Sequence, residues 1–223
     1  MDRKIGVKIC GLTAADHVEA AVQAGAAFVG FVFFEKSPRH LALDQAAALA
    51  ALVPPGVCKV ALTVNASDAA LDAIAGAVPV DLWQLHGAED PARVAEVKSR
   101  FGLPVMKALG IASKQDLAKV QSYYPVTDML LLDAKAPKDA PLPGGNGLAF
   151  DWRLLAGRRI AKPWMLAGGL TPLNVGEAIA RTGAPNVDVS SGVESALGVK
   201  DLSKIAAFTV AAQTTVLLPP DLG

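Results

Sequence analysis

The sequence has no excess of charge of either sign, only two cysteines and no long apolar run. Each absence excludes a class of protein. Lys and Arg number 21 against 21 Asp and Glu, so the formal net charge is zero. A nucleic-acid binder would show a basic excess, and an acidic tail or membrane-surface segment would also unbalance the count. Cys10 and Cys58 are too few and too far apart for a disulfide framework or a Cys-x-x-Cys zinc site. No His/Cys/Asp/Glu group has metal-ligand spacing, so no metal is expected. No apolar run approaches the ~18 residues of a membrane span, and the alanine-rich stretch from Ala46 to Val53 stops at Pro54-Pro55. Met1-Asp2-Arg3-Lys4 leads into a strand-like segment without the apolar core of a signal peptide. The expected address is therefore the cytoplasm, with both thiols reduced.

What is present is core material. Hydrophobic residues make up 52% of 223 residues, whereas disorder needs low hydrophobicity and high net charge. No linker or composition shift divides the chain, so residues 1–223 are read as a single domain.

Short apolar runs alternate with longer amphipathic stretches. Ile5–Ile9, Phe28–Phe33, Val57–Val64, Asp81–Leu85, Leu103–Leu109, Met129–Asp133, Trp164–Ala167 and Val187–Val189 read as strands. Between them lie helices from Thr13 (with a Thr13/Asp16 cap), Leu43, Ser67, Asp90-Pro91, Ser113 and Thr171-Pro172. A last helix runs from Asp201 to about Val216. Roughly eight βα units in a chain of this length predict an α/β fold, a (β/α)8 TIM barrel. The rival, an open doubly wound sheet, calls for Gly-x-Gly-x-x-Gly after the first strand, and Cys10-Gly11-Leu12-Thr13 is no such turn.

In such barrels chemistry gathers at the C-terminal strand ends. Cys10 stands there on the first strand. It is either an inert buried thiol or, beside cations, a thiol of lowered pKa able to act as a base. Cys58 begins a strand and reads as core. Asp133 emerges from Met129-Leu130-Leu131-Leu132, where a carboxylate must be solvated, paired or functional; a helix cap or structural ion pair is the alternative. After it comes a connection of roughly 16 residues to the next helix, where about 2–6 is usual. This loop, Ala134–Phe150, contains Pro143-Gly144-Gly145-Asn146-Gly147 and reads as a lid or as disorder.

Gly168-Gly169 after the seventh strand and Ser190-Ser191-Gly192 after the eighth occupy the positions where many barrels bind phosphate through backbone amides. Arg39, in Ser37-Pro38-Arg39, is a surface arginine or a bidentate reader of a carboxylate. His86 is a structural hydrogen-bonder or a site residue. His17, on a predicted helix, reads as solvent-facing, and His40 is needed by no argument.

Taken in order, these segments resemble the phosphoribosylanthranilate isomerase family of tryptophan biosynthesis. The resemblance rests on Lys8-Ile9-Cys10-Gly11, Ser37-Pro38-Arg39, Gln84-Leu85-His86-Gly87, Leu131-Leu132-Asp133 and Gly144-Gly145-Asn146-Gly147. It continues through Leu166-Ala167-Gly168-Gly169 and Val187-Asp188-Val189-Ser190-Ser191-Gly192-Val193-Glu194 to Gly198-Val199-Lys200. The family's reaction is a cofactor-free Amadori rearrangement of an aminoaldose to an aminoketose. The resemblance implies Asp133 as general acid, Cys10 as general base and Arg39 on the anthranilate carboxylate. His86, Asp188, Gly144 and Gly145 would be substrate-binding, and Gly168, Gly169, Ser190, Ser191 and Gly192 would hold the 5′-phosphate. The implied partner is one small-molecule phosphosugar, met by a monomer or homodimer without nucleic acid, membrane or cofactor. Asn146, Leu148 and Leu173 depart from the family's usual residues. Two other readings compete: the related histidine-pathway isomerase, which carries Asp where Cys10 stands, and a non-catalytic phosphosugar-binding barrel.

Overall fold

The computed structural model describes residues 4–135, 144 and 151–215. Gly145 and the rest of the glycine-rich loop except Gly144 lie outside them. The eight apolar runs form β1 (Gly6–Cys10), β2 (Phe28–Phe33), β3 (Cys58–Thr63), β4 (Leu82–Leu85), β5 (Val105–Ile111), β6 (Met129–Ala134), β7 (Trp164–Leu166) and β8 (Asn186–Val189). The helices are α1 (Ala15–Gln23), α2 (Leu43–Ala51), α3 (Asp68–Ala77), α4 (Pro91–Phe101), α5 (Lys114–Val120), α6 (Val175–Thr182) and α7 (Leu202–Gln213). Each crossover returns the chain to the same sheet edge, so consecutive strands pair in parallel. β1 pairs with both β2 and β8, closing the ring as the expected (β/α)8 barrel.

Side chains alternate between the two faces of a strand, and here the alternation divides the core. Val60, Leu82, Met106, Ala108, Met129, Leu131, Met165 and Ala167 fill the barrel interior. Val7, Ile9, Val29, Phe31, Leu130, Leu132, Leu166 and Val187 face outward to the helices. Two residues beyond the last apolar inward position, several strands turn polar or reactive. Lys8 and Cys10 follow Gly6, Gln84 and His86 follow Leu82, and Asp133 follows Leu131, while on β8 both Asn186 and Asp188 are polar. The functional end of the barrel is thus a continuation of its core pattern.

Helix starts show local chemistry at work. Ser67, Asp90, Ser113 and Asp201 each accept an amide from the first turn of their helix. The expected Thr13/Asp16 cap is not formed. α1 opens after Ala14, whose side chain cannot accept, while Thr13 Oγ1 donates to the Gly198 carbonyl at 3.3 Å. Thr171-Pro172 stands before α6 rather than at its start. Asn174 Oδ1 takes the Thr171 amide at 2.7 Å, and Thr171 Oγ1 takes that of Leu173 at 3.3 Å, which holds a separate turn.

Two further differences concern neighbours that sequence alone does not supply. His17 is buried, not solvent-facing, with Nδ1 3.5 Å from Thr13 Oγ1, and burial pulls its ring below the ordinary imidazole value. An unpredicted hairpin, β9 (Glu194–Ala196) with β10 (Val199–Lys200), stands between β8 and α7, and the Gly198 carbonyl at its turn takes the Thr13 hydroxyl beside His17. Between β6 and β7, the described residues show a single 3-10 turn, Trp152–Leu154, where a helix was expected. No helix among the described residues is long and apolar enough to cross a membrane.

Candidate active site

The polar inward positions open onto one cleft at the C-terminal end of the barrel. Cys10 reaches it from β1, Arg39 from the β2–α2 connection, His86 from the residue after β4, Asp133 from β6 and Asp188 from β8. Gly144, Gly168, Gly169, Ser190, Ser191 and Gly192 complete the wall. Every described residue expected at the site therefore faces the same space.

Asp133 is buried and takes its own neighbour's amide, Ala134 N, on Oδ1 at 2.7 Å. Its Oδ2 lies 3.3 Å from His86 Nε2. His86 Nδ1 is 2.8 Å from Gln84 Nε2, one inward position below it on β4. The Gln84 Oε1 atom is buried with no hydrogen-bond partner. With Gln84 Nε2 donating, Nδ1 accepts and Nε2–H points at the carboxylate; with the amide turned over, Oε1 takes Nδ1–H and Nε2 becomes an acceptor. The second setting gives Oε1 its partner.

Gly144 closes over this pair. A Cβ there would stand 2.5 Å from His86 Nε2 and 2.7 Å from Asp133 Oδ2, so only glycine allows the backbone to approach. Gly168 and Gly169 have φ of 90° and 63°, the left-handed region that disfavours side chains. They turn the chain beside Asp133 and aim the β7 loop at the loop after β8. There Ser191–Val193 forms a short 3-10 helix, the place and kind of element that barrels use for phosphate.

The opposite wall is charged. Lys8 Nζ donates to Asp188 Oδ1 at 2.9 Å. Arg39 donates from Nε and Nη2 to the two carboxylate oxygens of Glu194, at 2.6 and 2.9 Å. Lys200 Nζ reaches the same Glu194 at 2.8 Å, and also the Ser190 carbonyl at 2.9 Å and hydroxyl at 3.2 Å. All these side chains are buried. Burial pushes the Glu194 carboxyl up, but Arg39 and Lys200 together hold it below its ordinary value. Burial pulls Lys200 down despite Glu194.

Burial also pushes the Cys10 thiol up, with Lys8 opposing and Asp188 adding to the rise. The expectation of a lowered thiol pKa beside cations is therefore not met. The cation is present, yet desolvation of the sulfur outweighs it. Arg39 is no surface arginine; it is buried with one edge of its fork engaged by Glu194. Guanidinium carries five N–H groups, and the Nη1/Nη2 edge remains for a second carboxylate.

Sequence reasoning gave no role to Lys8, Gln84, Glu194 or Lys200. A signal existed for the first two, because each lies two residues before a candidate residue and so shares its inward face. A second pair was equally unread. Lys107 Nζ meets Glu89 at 2.8 Å and the Leu85 and Gly87 carbonyls at 3.1 and 2.7 Å, bracing the turn that carries His86. Cys58 is half-buried against the interior cluster, as expected of core. No group of three or more potential metal ligands occurs among the described residues.

Comparison with known proteins bears on the chain as a whole. The profile of the "N-(5'phosphoribosyl)anthranilate (PRA) isomerase" family matches residues 7–211. The N-(5'-phosphoribosyl)anthranilate isomerase of Paracoccus denitrificans is 67% identical over 213 residues, covering 96% of this chain and 99% of its own length. The crystal structure of phosphoribosyl anthranilate isomerase from Thermotoga maritima has a TM-score of 0.84 at 35% identity, covering 93% of this chain and 98% of that one. A phosphoribosyl anthranilate isomerase in complex with reduced 1-(o-carboxyphenylamino)-1-deoxyribulose 5-phosphate has a TM-score of 0.80 at 32% identity, with the same coverage. On sequence and barrel alike, the chain belongs to the N-(5'-phosphoribosyl)anthranilate isomerase family.

Proposed function

We propose that this chain converts N-(5'-phosphoribosyl)anthranilate to 1-(2-carboxyphenylamino)-1-deoxyribulose 5-phosphate, the isomerisation step of tryptophan biosynthesis. Asp133 acts as general acid and Cys10 as general base. The observation that carries this reading is that both groups, on strands three places apart around the ring, line one cavity with a glycine-serine wall beside them.

Asp133 gives its proton to the ribose ring oxygen. The C1′–O bond breaks and the anthranilate nitrogen supplies the electron pair for a protonated Schiff base. Cys10 then takes the C2′ proton, and the C–H electron pair forms the C1′–C2′ double bond of an enolamine while the C1′=N π pair returns to nitrogen. Reprotonation at C1′ and loss of the C2′ hydroxyl proton leave the ketone. Substrate and product are isomers, so the electrons balance without an external oxidant or reductant. Positioned proton transfers of this kind are worth about 10²–10⁴ each.

The remaining residues take supporting roles. His86 stands against Asp133 Oδ2 and holds the carboxyl group in orientation. The Nη1/Nη2 edge of Arg39 takes the anthranilate carboxylate. Gly168, Gly169, Ser190, Ser191 and Gly192 hold the 5′-phosphate through oriented amides and hydroxyls. The complex of a family member with a reduced form of this product supports the assignment. The thiol at Cys10 favours it over the histidine-pathway isomerase.

The test is turnover of phosphoribosylanthranilate by the purified chain without added metal or nucleotide, followed by loss of substrate fluorescence. Retained turnover in both Cys10→Ala and Asp133→Asn would overturn the mechanism.

A further inference from the structure

Beneath Cys10 lies a charge that the proton transfers above do not use. Lys8 is two residues earlier on the inward face of β1, fully buried, and in register with Asp188 of β8. Its Nζ and the Cys10 Sγ converge on the same point. A Cβ added to Gly30 of β2 would stand 3.1 Å from that nitrogen and 3.0 Å from that sulfur.

A buried ammonium persists only where counter-charge and hydrogen bonds match it. The Asp188 carboxylate satisfies one of three N–H groups. The charged groups facing the sulfur are Lys8 from β1, Asp188 from β8 and Lys200 from β10. Lys200 is tied through Glu194 to Arg39, and His86 and Asp133 face Cys10 across the cavity. On the charged wall three cations, Lys8, Lys200 and Arg39, meet two carboxylates, Asp188 and Glu194. One positive charge is left over among these side chains, and it favours an anion beside it.

We propose that Lys8 is a positioning residue, set by Asp188, that offsets the burial of the Cys10 sulfur and so eases formation of the thiolate that accepts the proton. Its catalytic meaning rests on Cys10 being the base, whereas its hold on the sulfur is measurable without turnover. Of the charges near Cys10, Lys8 is the strongest one favouring the thiolate, and Asp188 the strongest one opposing it. The two members of one ion pair should therefore act on the thiol with opposite sign, which a merely structural pair would not do.

The experiment uses the full chain carrying Cys58→Ser, so that Cys10 is the single cysteine. The rate of iodoacetamide alkylation is followed against pH by intact mass. Lys8→Met should move the alkylation midpoint up by about one pH unit, roughly a tenfold loss of reactive thiolate at neutral pH. Asp188→Asn should move the midpoint down, and Lys8→Arg should restore part of the Lys8→Met loss. The limb of the kcat/KM profile that reports the Cys10 thiol should follow each midpoint. An unmoved midpoint in Lys8→Met, or shifts of the same sign in Lys8→Met and Asp188→Asn, would overturn the proposal. If Lys8→Met does not fold, Lys8→Met with Asp188→Asn leaves no unpaired charge and carries the same measurement, with a smaller upward shift expected and an unmoved midpoint decisive against. Full turnover in Cys10→Ala would remove the base assignment and still leave the midpoints to decide what Lys8 does.

Discussion

The two walls of the cavity hold their reactive groups by different means. Around Cys10 the wall is ionic: Lys8, Asp188, Arg39, Glu194 and Lys200 are all buried and joined by hydrogen bonds of 2.6–2.9 Å. Around Asp133 the support is mostly neutral, made of Gln84, His86, a backbone amide and two glycines. An acid that gives up a proton becomes a carboxylate that needs hydrogen-bond donors, and a backbone amide beside an imidazole of switchable tautomer can supply them. A base buried in an apolar cluster with Val32 and Leu62 needs charge to make its anion tolerable.

The largest expected effects strike the reactive groups themselves. Cys10→Ala and Asp133→Asn should each lower kcat by about 10²–10⁴ with little change in the thermal midpoint, as steady-state kinetics and a melting curve would show. Next comes the ionic wall. Glu194→Gln leaves Arg39 and Lys200 without their carboxylate, and breaking a buried pair on one side costs roughly 3–5 kcal/mol, readable in urea unfolding. Because the Glu194 carboxyl is held below its ordinary value of 4.5, its contribution is complete above that pH and fades as pH falls further. Glu194→Gln should accordingly flatten the acid limb of stability; an unchanged limb would show that the wall is not what gives way.

On the neutral side, Gln84→Leu removes one buried hydrogen bond to His86. It should reduce kcat about tenfold, the equivalent of roughly 1–2 kcal/mol, without the acid-stability change. Equal losses of stability for Gln84→Leu and Glu194→Gln would erase the distinction between the walls. The smallest effect is the outer reference. Arg181→Ala breaks the exposed Arg181–Glu177 pair on α6 and should change stability by no more than about 0.5 kcal/mol.

Much of this was legible before any coordinates. The eight strands follow from short apolar runs separated by helical spacing, and period-two alternation carries Met129 and Leu131 on to Asp133. Caps at Ser113 and Asp90 are local chemistry and were readable as such. The Thr13 cap and the exposed His17 were misread for one reason: both stand beside the β9–β10 hairpin, a distant piece of chain whose Gly198 carbonyl takes the Thr13 hydroxyl.

The sequence by itself determined the succession of strands and helices, which strand ends reach the mouth and the candidate residues they carry there. All of these depend on spacing over a few residues. Only the closed barrel decided which charges meet. Lys8 finds Asp188 and Arg39 finds Glu194 at separations of 180 and 155 residues, because closure lays β8 against β1 and brings the hairpin beyond β8 beside the β2 loop. The direction of the Cys10 shift belongs to that level too, since desolvation and the charges that oppose it exist only once the ring has closed.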